Sequence, residues 1–510
     1  MLTLVLATLA GTAHALSFAP WNVPALQLAA LASLLALATR QSTALRAAGV
    51  GAVFGLAWFG IGVCWVYISM HAHGDLPSWI AALATAALAS LLAAFPALAA
   101  AGAHRLAAGP RTRLLLAWPA CWCLSEWLRG TVLSGLPWVA SGYAHTDGPL
   151  AGYAPLVGVY GICLIAALLA AAGVFLVQRS PAPPRRAARS AALFAALAAA
   201  LVLAGGQALR AIDWTHQSGA PLEVKLVQGN VPQDLKFAEG GNELSVKRYF
   251  ALMPDAPGAH SDLVVLPESA FPVPLTDLPP QVQQDLQSFT VQQHAALIFG
   301  TFVEEPGYRF YNSAIGLQAD GPAQRYSKRH LVPFGEFIPL GFRWFVDLMN
   351  IPIGDQQHGE SYQRPMQLAG QRIALNICFE VLFGNEIISA WRDPALEPTL
   401  LLNLSNLAWF DDSIALPQHL QISRMRALET GRPLLLATNT GATAVIDPHG
   451  GVLAQLPHNQ AASLRVRVWG FAGRTPYVRL GDGPALLVAG ALLAAAAVIS
   501  RKSTAPAPKT

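Results

Sequence analysis

Three side chains of complementary chemistry follow apolar, β-rich runs in the second half of this 510-residue chain. Glu268 closes "VVLPE", Lys328 lies in "RYSKRHLVPFGEFIP", and Cys378 closes "RIALNIC". A thiol is inert until its thiolate forms, and a nearby base or cation lowers that cost. A glutamate can take the thiol proton, and a lysine can steady both the thiolate and the oxyanion of a tetrahedral intermediate. The set therefore suits acyl transfer through a covalent cysteine adduct. The residues leave other readings open. Cys378 can be a small packing residue, Glu268 a surface acid, and Lys328 one charge within "SKRH"; His330 offers a papain-like Cys–His pair instead.

The elements that must position these groups are legible as short apolar runs. Strands are expected at 223–231, 262–268, 295–303, 311–317, 372–378, 399–405 and 432–440. Helices are expected near 240–252, 279–293, 384–392 and 417–430. Continuous runs of β-formers, rather than strict alternation, mark strands buried on both faces. Alternating with helices, they give an α/β domain. A buried strand that ends in a reactive residue fixes it, while the loop that follows leaves it open. The chain has no G-x-G-x-x-G after a strand, no P-loop and no G-x-S-x-G elbow, which removes the common nucleotide-binding and serine-hydrolase signatures. No cofactor is expected.

Around that domain the composition is that of a membrane protein. The chain is 54% hydrophobic and 12% charged, against about 25% charged in soluble proteins. Before Asp213 there are eleven Arg, no Lys and only three acids, Asp75, Glu126 and Asp147. Apolar segments near 2–19, 22–39, 49–70, 77–100, 113–128, 151–178, 190–210 and 483–500 are read as eight transmembrane helices, since a span needs about 20 apolar residues. The expected division is a transmembrane domain at 1–211, an extracytoplasmic domain at 212–481, and a closing helix with a polar tail at 482–510. The first segment lacks a basic start and runs straight into an apolar hairpin, so it is read as a helix rather than a cleaved signal peptide.

Charge sets the expected orientation. Arg40 and Arg46, then Arg105, Arg111 and Arg113, then Arg179, Arg185, Arg186 and Arg189, and last Arg501, Lys502 and Lys509 all fall on one side of the membrane. The positive-inside rule makes that side the cytoplasm. Both termini are then cytoplasmic, and residues 212–481 face the periplasm of a two-membrane bacterium. Glu126 and Arg129 read either as an ion pair or as a lipid-headgroup contact. His71 and His73 have no third ligand nearby and "CWC" at 121–123 lacks zinc spacing, so no metal site is expected. The basic residues are spread over loops and leave no nucleic-acid footprint.

The same motifs carry a resemblance. "VVLPESAFP", "SKRHLVPFGEFIP" and "LNICFEVLFG" resemble the Glu, Lys and Cys motifs of the nitrilase, or carbon–nitrogen hydrolase, superfamily. Joined to eight membrane helices, they are similar to apolipoprotein N-acyltransferases over nearly the whole chain, including "QHLQISRMRALETGRPLLLATNTG" at 418–441. The resemblance implies a nitrilase-like αββα sandwich on an α-helical membrane domain. It implies Glu268 as general base, Lys328 as oxyanion-stabilising cation and Cys378 as nucleophile. Glu336 matches a glutamate that assists the triad, and Phe379 and Glu380 match the family's aromatic and acid after the nucleophile. The implied donor is a phospholipid, phosphatidylethanolamine, giving up its sn-1 acyl chain in the bacterial inner membrane. The implied acceptor is the α-amino group of an apolipoprotein's N-terminal diacylglyceryl-cysteine. A membrane-tethered amidase acting on a small molecule is the alternative.

Departures from the family pattern are Phe237, where relatives often carry Trp, and Leu407 and Asp411, where they often show Asp and Gly. The stretch at 338–354 is unusually apolar, with Phe342, Trp344 and Phe345. Beside the Glu336 motif it is read as a membrane-facing arm that contacts lipid, as Phe237 would, rather than as a core helix.

Overall fold

The computed structural model describes residues 1–178, 186–338, 341, 343 and 356–504. Phe342, Trp344 and Phe345, the centre of the expected arm, lie outside the described residues. The chain divides into two compact units: Met1–Tyr67, Pro77–Ile212 and Arg479–Thr510 form one, and Ile68–Leu76 with Asp213–Val478 the other.

The second unit holds twelve strands among the described residues. They are β1 (His216–Gln228), β2 (Leu263–Val265), β3 (Ala296–Glu305), β4 (Arg309–Leu317), β5 (Gln324–Ser327), β6 (Met366–Leu368), β7 (Gln371–Ile377), β8 (Leu400–Ser405), β9 (Leu434–Thr438), β10 (Ala444–Ile446), β11 (Val452–Gln455) and β12 (Ala462–Ala472). Two six-stranded sheets result, ordered β12-β1-β2-β3-β4-β5 and β11-β10-β9-β8-β7-β6. The middle of each is parallel, β1–β2–β3 and β7–β8–β9, and the flanking pairs are antiparallel.

Alternation along each strand builds the layers. Leu222, Val224 and Leu226 of β1 share one core with Ile373, Leu375 and Ile377 of β7 and with Leu400, Leu402 and Leu404 of β8. The opposite residues of the first sheet, among them Val227, Val264, Leu297 and Phe299, form a second core with Tyr249 and Leu286. Those two side chains come from the helices Gly241–Leu252 and Pro280–Gln293. The helix Ala415–Thr430 packs on β9 and β10 of the other sheet. The result is the four-layer αββα sandwich, and strands covered on both faces explain the continuous apolar runs in the sequence.

Each expected strand lies on an observed one, and two are shortened, the 432–440 run to Leu434–Thr438. The 262–268 run pairs only over Leu263–Val265, because Pro267 has no N–H for a ladder and the chain turns there. The 384–392 helix breaks into Gly384–Ile387 and a tight 3₁₀ turn, Ile388–Trp391.

In the first unit, five helical stretches among the described residues are long and apolar enough to cross a membrane: Ala44–Gly62, Ser78–Leu106, Pro149–Val177, Ser190–Leu209 and Gly483–Arg501. Leu2–Ala15 and Pro24–Thr39 are apolar but shorter. At 1.5 Å per residue they reach only about 20–25 Å, against a hydrocarbon core of about 30 Å. The helix Trp118–Arg129 has 12 residues and carries the two charges. Eight full-length spans are therefore more than length and composition support.

The third segment starts earlier than expected. Thr43 caps it by accepting from the Arg46 amide at 3.2 Å, so the charged Arg46 sits in its first turn. It ends at Gly62, and a separate short helix, Val66–Ala72, follows. Glu126 and Arg129 resolve as a buried ion pair, 2.9 Å apart. Arg129 also donates to the carbonyls of Leu136 and Trp138, and Glu126 accepts from the Ser141 amide at 3.1 Å. Pairing plus these extra bonds is what makes two charges tolerable in an apolar interior.

Candidate active site

Glu268 leaves β2 through Pro267 with its main chain pressed against β3. A Cβ on Gly300 would lie 2.6 Å from the Pro267 oxygen and 2.7 Å from the Glu268 Cα, so only glycine permits this approach. The residue after Glu268, Ser269, has φ +48°, and Cys378 itself has φ +50°. Both are left-handed conformations that L-residues hold only where the surroundings impose them.

A charged cluster forms around Glu268. Its Oε1 accepts from Asn312 Nδ2 at 2.8 Å and from Lys328 Nζ at 3.3 Å, and its Oε2 accepts from the Asn406 amide at 2.8 Å. Lys328 Nζ also donates to Glu336 Oε1 at 2.7 Å. Glu336 is held in turn by the Val332 amide at 2.8 Å. Lys328 is 1% exposed and Glu268 5%. Burial alone would strip the proton from Lys328, but the Glu268 and Glu336 carboxylates and Cys378 outweigh it and hold the ammonium firmly protonated.

Cys378 begins the turn that follows β7. Burial first, then the Glu268 carboxylate, raises its thiol pKa, with Lys328 opposing. These influences favour the thiol over the thiolate, and a thiol next to a carboxylate is an arrangement suited to passing its proton to that carboxylate. Asn403 Nδ2 donates to the Cys378 carbonyl at 3.2 Å and to Asn376 Oδ1 at 2.6 Å, and the buried His419 ring bonds the same main chain.

Glu380 welds two loops together. Its Oε1 accepts from the amides of Arg329 at 2.7 Å and His330 at 3.1 Å, and its Oε2 from the Ile377 amide at 2.6 Å and the Tyr326 hydroxyl at 2.9 Å. One carboxylate thus ties the loop carrying Lys328 to the end of the strand carrying Cys378. Burial pushes its pKa up, against the pull of those three amides.

The other expected residues lie around this centre. Phe379 packs edge-on against His330 and Phe383. His330 pairs with Glu386 at 2.8 Å and stacks on Phe383 at 3.6 Å, so its ring is engaged there, while Glu268 partners the thiol. Phe237 is half exposed just after the turn Gln233–Lys236. Residues that the sequence reading passed over complete the site: Lys236, Asn312, Asn376, Asn403, Asn406 and His419. Their signal was polarity inside apolar runs, as in "LLNLSN", since a buried polar side chain needs a partner. Among the described residues no group of three or more His, Cys, Asp or Glu is placed to hold a metal ion.

Two family models match the chain. The family described as carbon-nitrogen hydrolase matches residues 216–466, and the one described as apolipoprotein N-acyltransferase N-terminal domain matches residues 10–172. The chain is 48% identical to an apolipoprotein N-acyltransferase of Ralstonia nicotianae, over 98% of this chain and 93% of that protein. It is 44% identical to one of Bordetella bronchiseptica, over 98% and 97%. A third, from Nitrosomonas europaea, is 39% identical over 98% and 99%.

Proposed function

This chain belongs to the apolipoprotein N-acyltransferase family, and on that premise we propose that it acylates lipoproteins through a thioester on Cys378. The supporting observation is the buried Glu268 carboxylate, held by Lys328, Asn312 and the Asn406 amide in the neighbourhood of Cys378. The Cys378 sulfur attacks the sn-1 ester carbonyl of a phospholipid, phosphatidylethanolamine, as Glu268 takes the thiol proton. Lys328 has two carboxylate partners and keeps one ammonium N–H for the oxyanion. The C–O bond then breaks, Glu268 returns the proton to the departing lysophospholipid oxygen, and the thioester remains.

In the second half, the α-amino group of a diacylglyceryl-cysteine attacks the thioester. Glu268 takes the amine proton, the C–S bond breaks, and the proton returns to sulfur. Ester and amine become lysophospholipid and amide, with ping-pong kinetics. Both substrates are bilayer lipids. We place the enzyme in the bacterial inner membrane with eight helical spans, the two short N-terminal helices and Trp118–Arg129 included. Residues 1–211 and 482–510 form the membrane domain, and 212–481 face the periplasm. Phe237 and the apolar 338–354 segment, with Phe342, Trp344 and Phe345, are assigned to lipid contact.

Mass spectrometry of the detergent-solubilised enzyme after incubation with phosphatidylethanolamine tests this. An acyl adduct on Cys378, discharged by a diacylglyceryl-cysteinyl peptide and absent in Cys378→Ala, is expected. Loss of the adduct to water alone would instead make the protein a hydrolase.

A further inference from the structure

Glu268 has two lysine neighbours, and the reaction above uses one. Lys236 ends the turn Gln233–Lys236 and is fully buried. Its ammonium donates to the Glu268 carbonyl oxygen at 3.3 Å, the one hydrogen-bond acceptor found for it among the described residues. A second link starts from the same turn. Gln233 Oε1 accepts from Asn406 Nδ2 at 2.8 Å, and the Asn406 amide donates to Glu268 Oε2 at 2.8 Å. One four-residue turn therefore meets the Glu268 carbonyl directly and reaches its carboxylate only through Asn406.

A buried ammonium is costly unless a charge or good acceptors compensate it. The charge that acts on Lys236 is Glu268. The carbonyl it meets precedes the left-handed Ser269, so the bond falls where the main chain is least free to relax.

We propose that Lys236 is a positioning residue for the general base, fixing the Glu268 main chain while Lys328 holds its carboxylate. The proposal rests on the acyl-transfer reading of the same site. Burial pushes Lys236 down to about 7, with Glu268 pulling the other way, so it is a cation on the acid side of neutrality. The other charged and titratable groups that act with Glu268 are Lys328, Glu336, Cys378 and the buried His419. Removing the Lys236 ammonium takes the donor from the Glu268 carbonyl, and the loss is greatest on the acid side of neutrality, where Lys236 is charged.

The test measures iodoacetamide alkylation of Cys378 by peptide mass spectrometry from acid to alkaline pH, alongside acyl-adduct formation from phosphatidylethanolamine and thermal melting. In Lys236→Met the alkylation rate should fall about tenfold relative to wild type below pH 7, where the bond to the Glu268 carbonyl is charge-assisted, and by less above it, and acylation at neutral pH should slow about tenfold or more. Lys236→Arg, which keeps charge and donor, should restore the wild-type rate. If Lys236→Met does not fold, Lys236→Gln, a neutral donor, carries the same comparison. Wild-type alkylation rates below pH 7 in the neutral variants, or a uniform loss at every pH, overturn the proposal. Alkylation reports on the base without any lipid. A wild-type enzyme that alkylates normally but takes no acyl chain would therefore refute the acyl-transfer reading and leave this inference standing.

Discussion

Glu380 never needs to touch substrate to matter. It meets four donors with two oxygens, so Glu380→Gln turns one acceptor into an N–H facing other N–H groups. Leaving buried donors unmet costs about 1–3 kcal/mol, and the loop bearing Lys328 loses its tie to Cys378. Acyl-adduct formation should slow about 100-fold with the protein still folded; a wild-type burst rate would refute the positioning role. His419 makes the opposite kind of prediction. Burial holds its pKa down to about 4, even though the Cys378 main chain and Glu268 pull it upward. Between about 6.5, the ordinary value, and that lower one, the unfolded chain binds the proton that the folded chain refuses. Stability from this group is full above the ordinary value and falls as pH drops toward 4, by about 3 kcal/mol in all. The melting temperature of His419→Gln should depend less steeply on pH over that window than the wild type's.

At the level of elements, the site depends on how close strands can come. Gly300 lets β3 run directly beneath Glu268. Gly300→Ala should cost about 1–3 kcal/mol of stability and displace the base, cutting adduct formation by more than tenfold; a variant that melts lower yet acylates normally would show that Glu268 had not moved. This scale also explains what the sequence could reveal. β7 and β8 announce themselves because parallel strands buried on both faces read as unbroken apolar runs. β12 was hidden because "SLRVRV" alternates, with one face left toward solvent. β5, β6, β10 and β11 have three or four residues each, too few for any period to show. Glu268, Lys328 and Cys378 stood out by residue type near strand ends. The scaffold holding it did not, since Asn406 meets Glu268 across 138 positions and Asn403 meets Cys378 across 25, pairings that only the folded sheets bring about.

For the whole molecule, charge is a poor guide to where a segment ends. Arg46 lies in the first turn of its helix, so trimming segments at charged residues misplaces their ends. A cysteine at Ser42 should resist a membrane-impermeant maleimide in cells whose outer membrane alone is permeabilised, whereas one at Ala256 should react, both in a Cys64→Ala, Cys378→Ala background. The reverse pattern would invert the proposed topology. The seam where the catalytic unit begins and ends has a mechanical consequence. β1 and β12 are antiparallel partners, and the first pair in their register is His216 with Ala472. The chain enters and leaves at the same end of one ladder. Tension applied to the two ends loads that ladder as a zipper, rung after rung from His216, instead of shearing all its hydrogen bonds together. The domain is thus built to yield at its hem, near its points of attachment, before force reaches β2 and β3 and the base they hold.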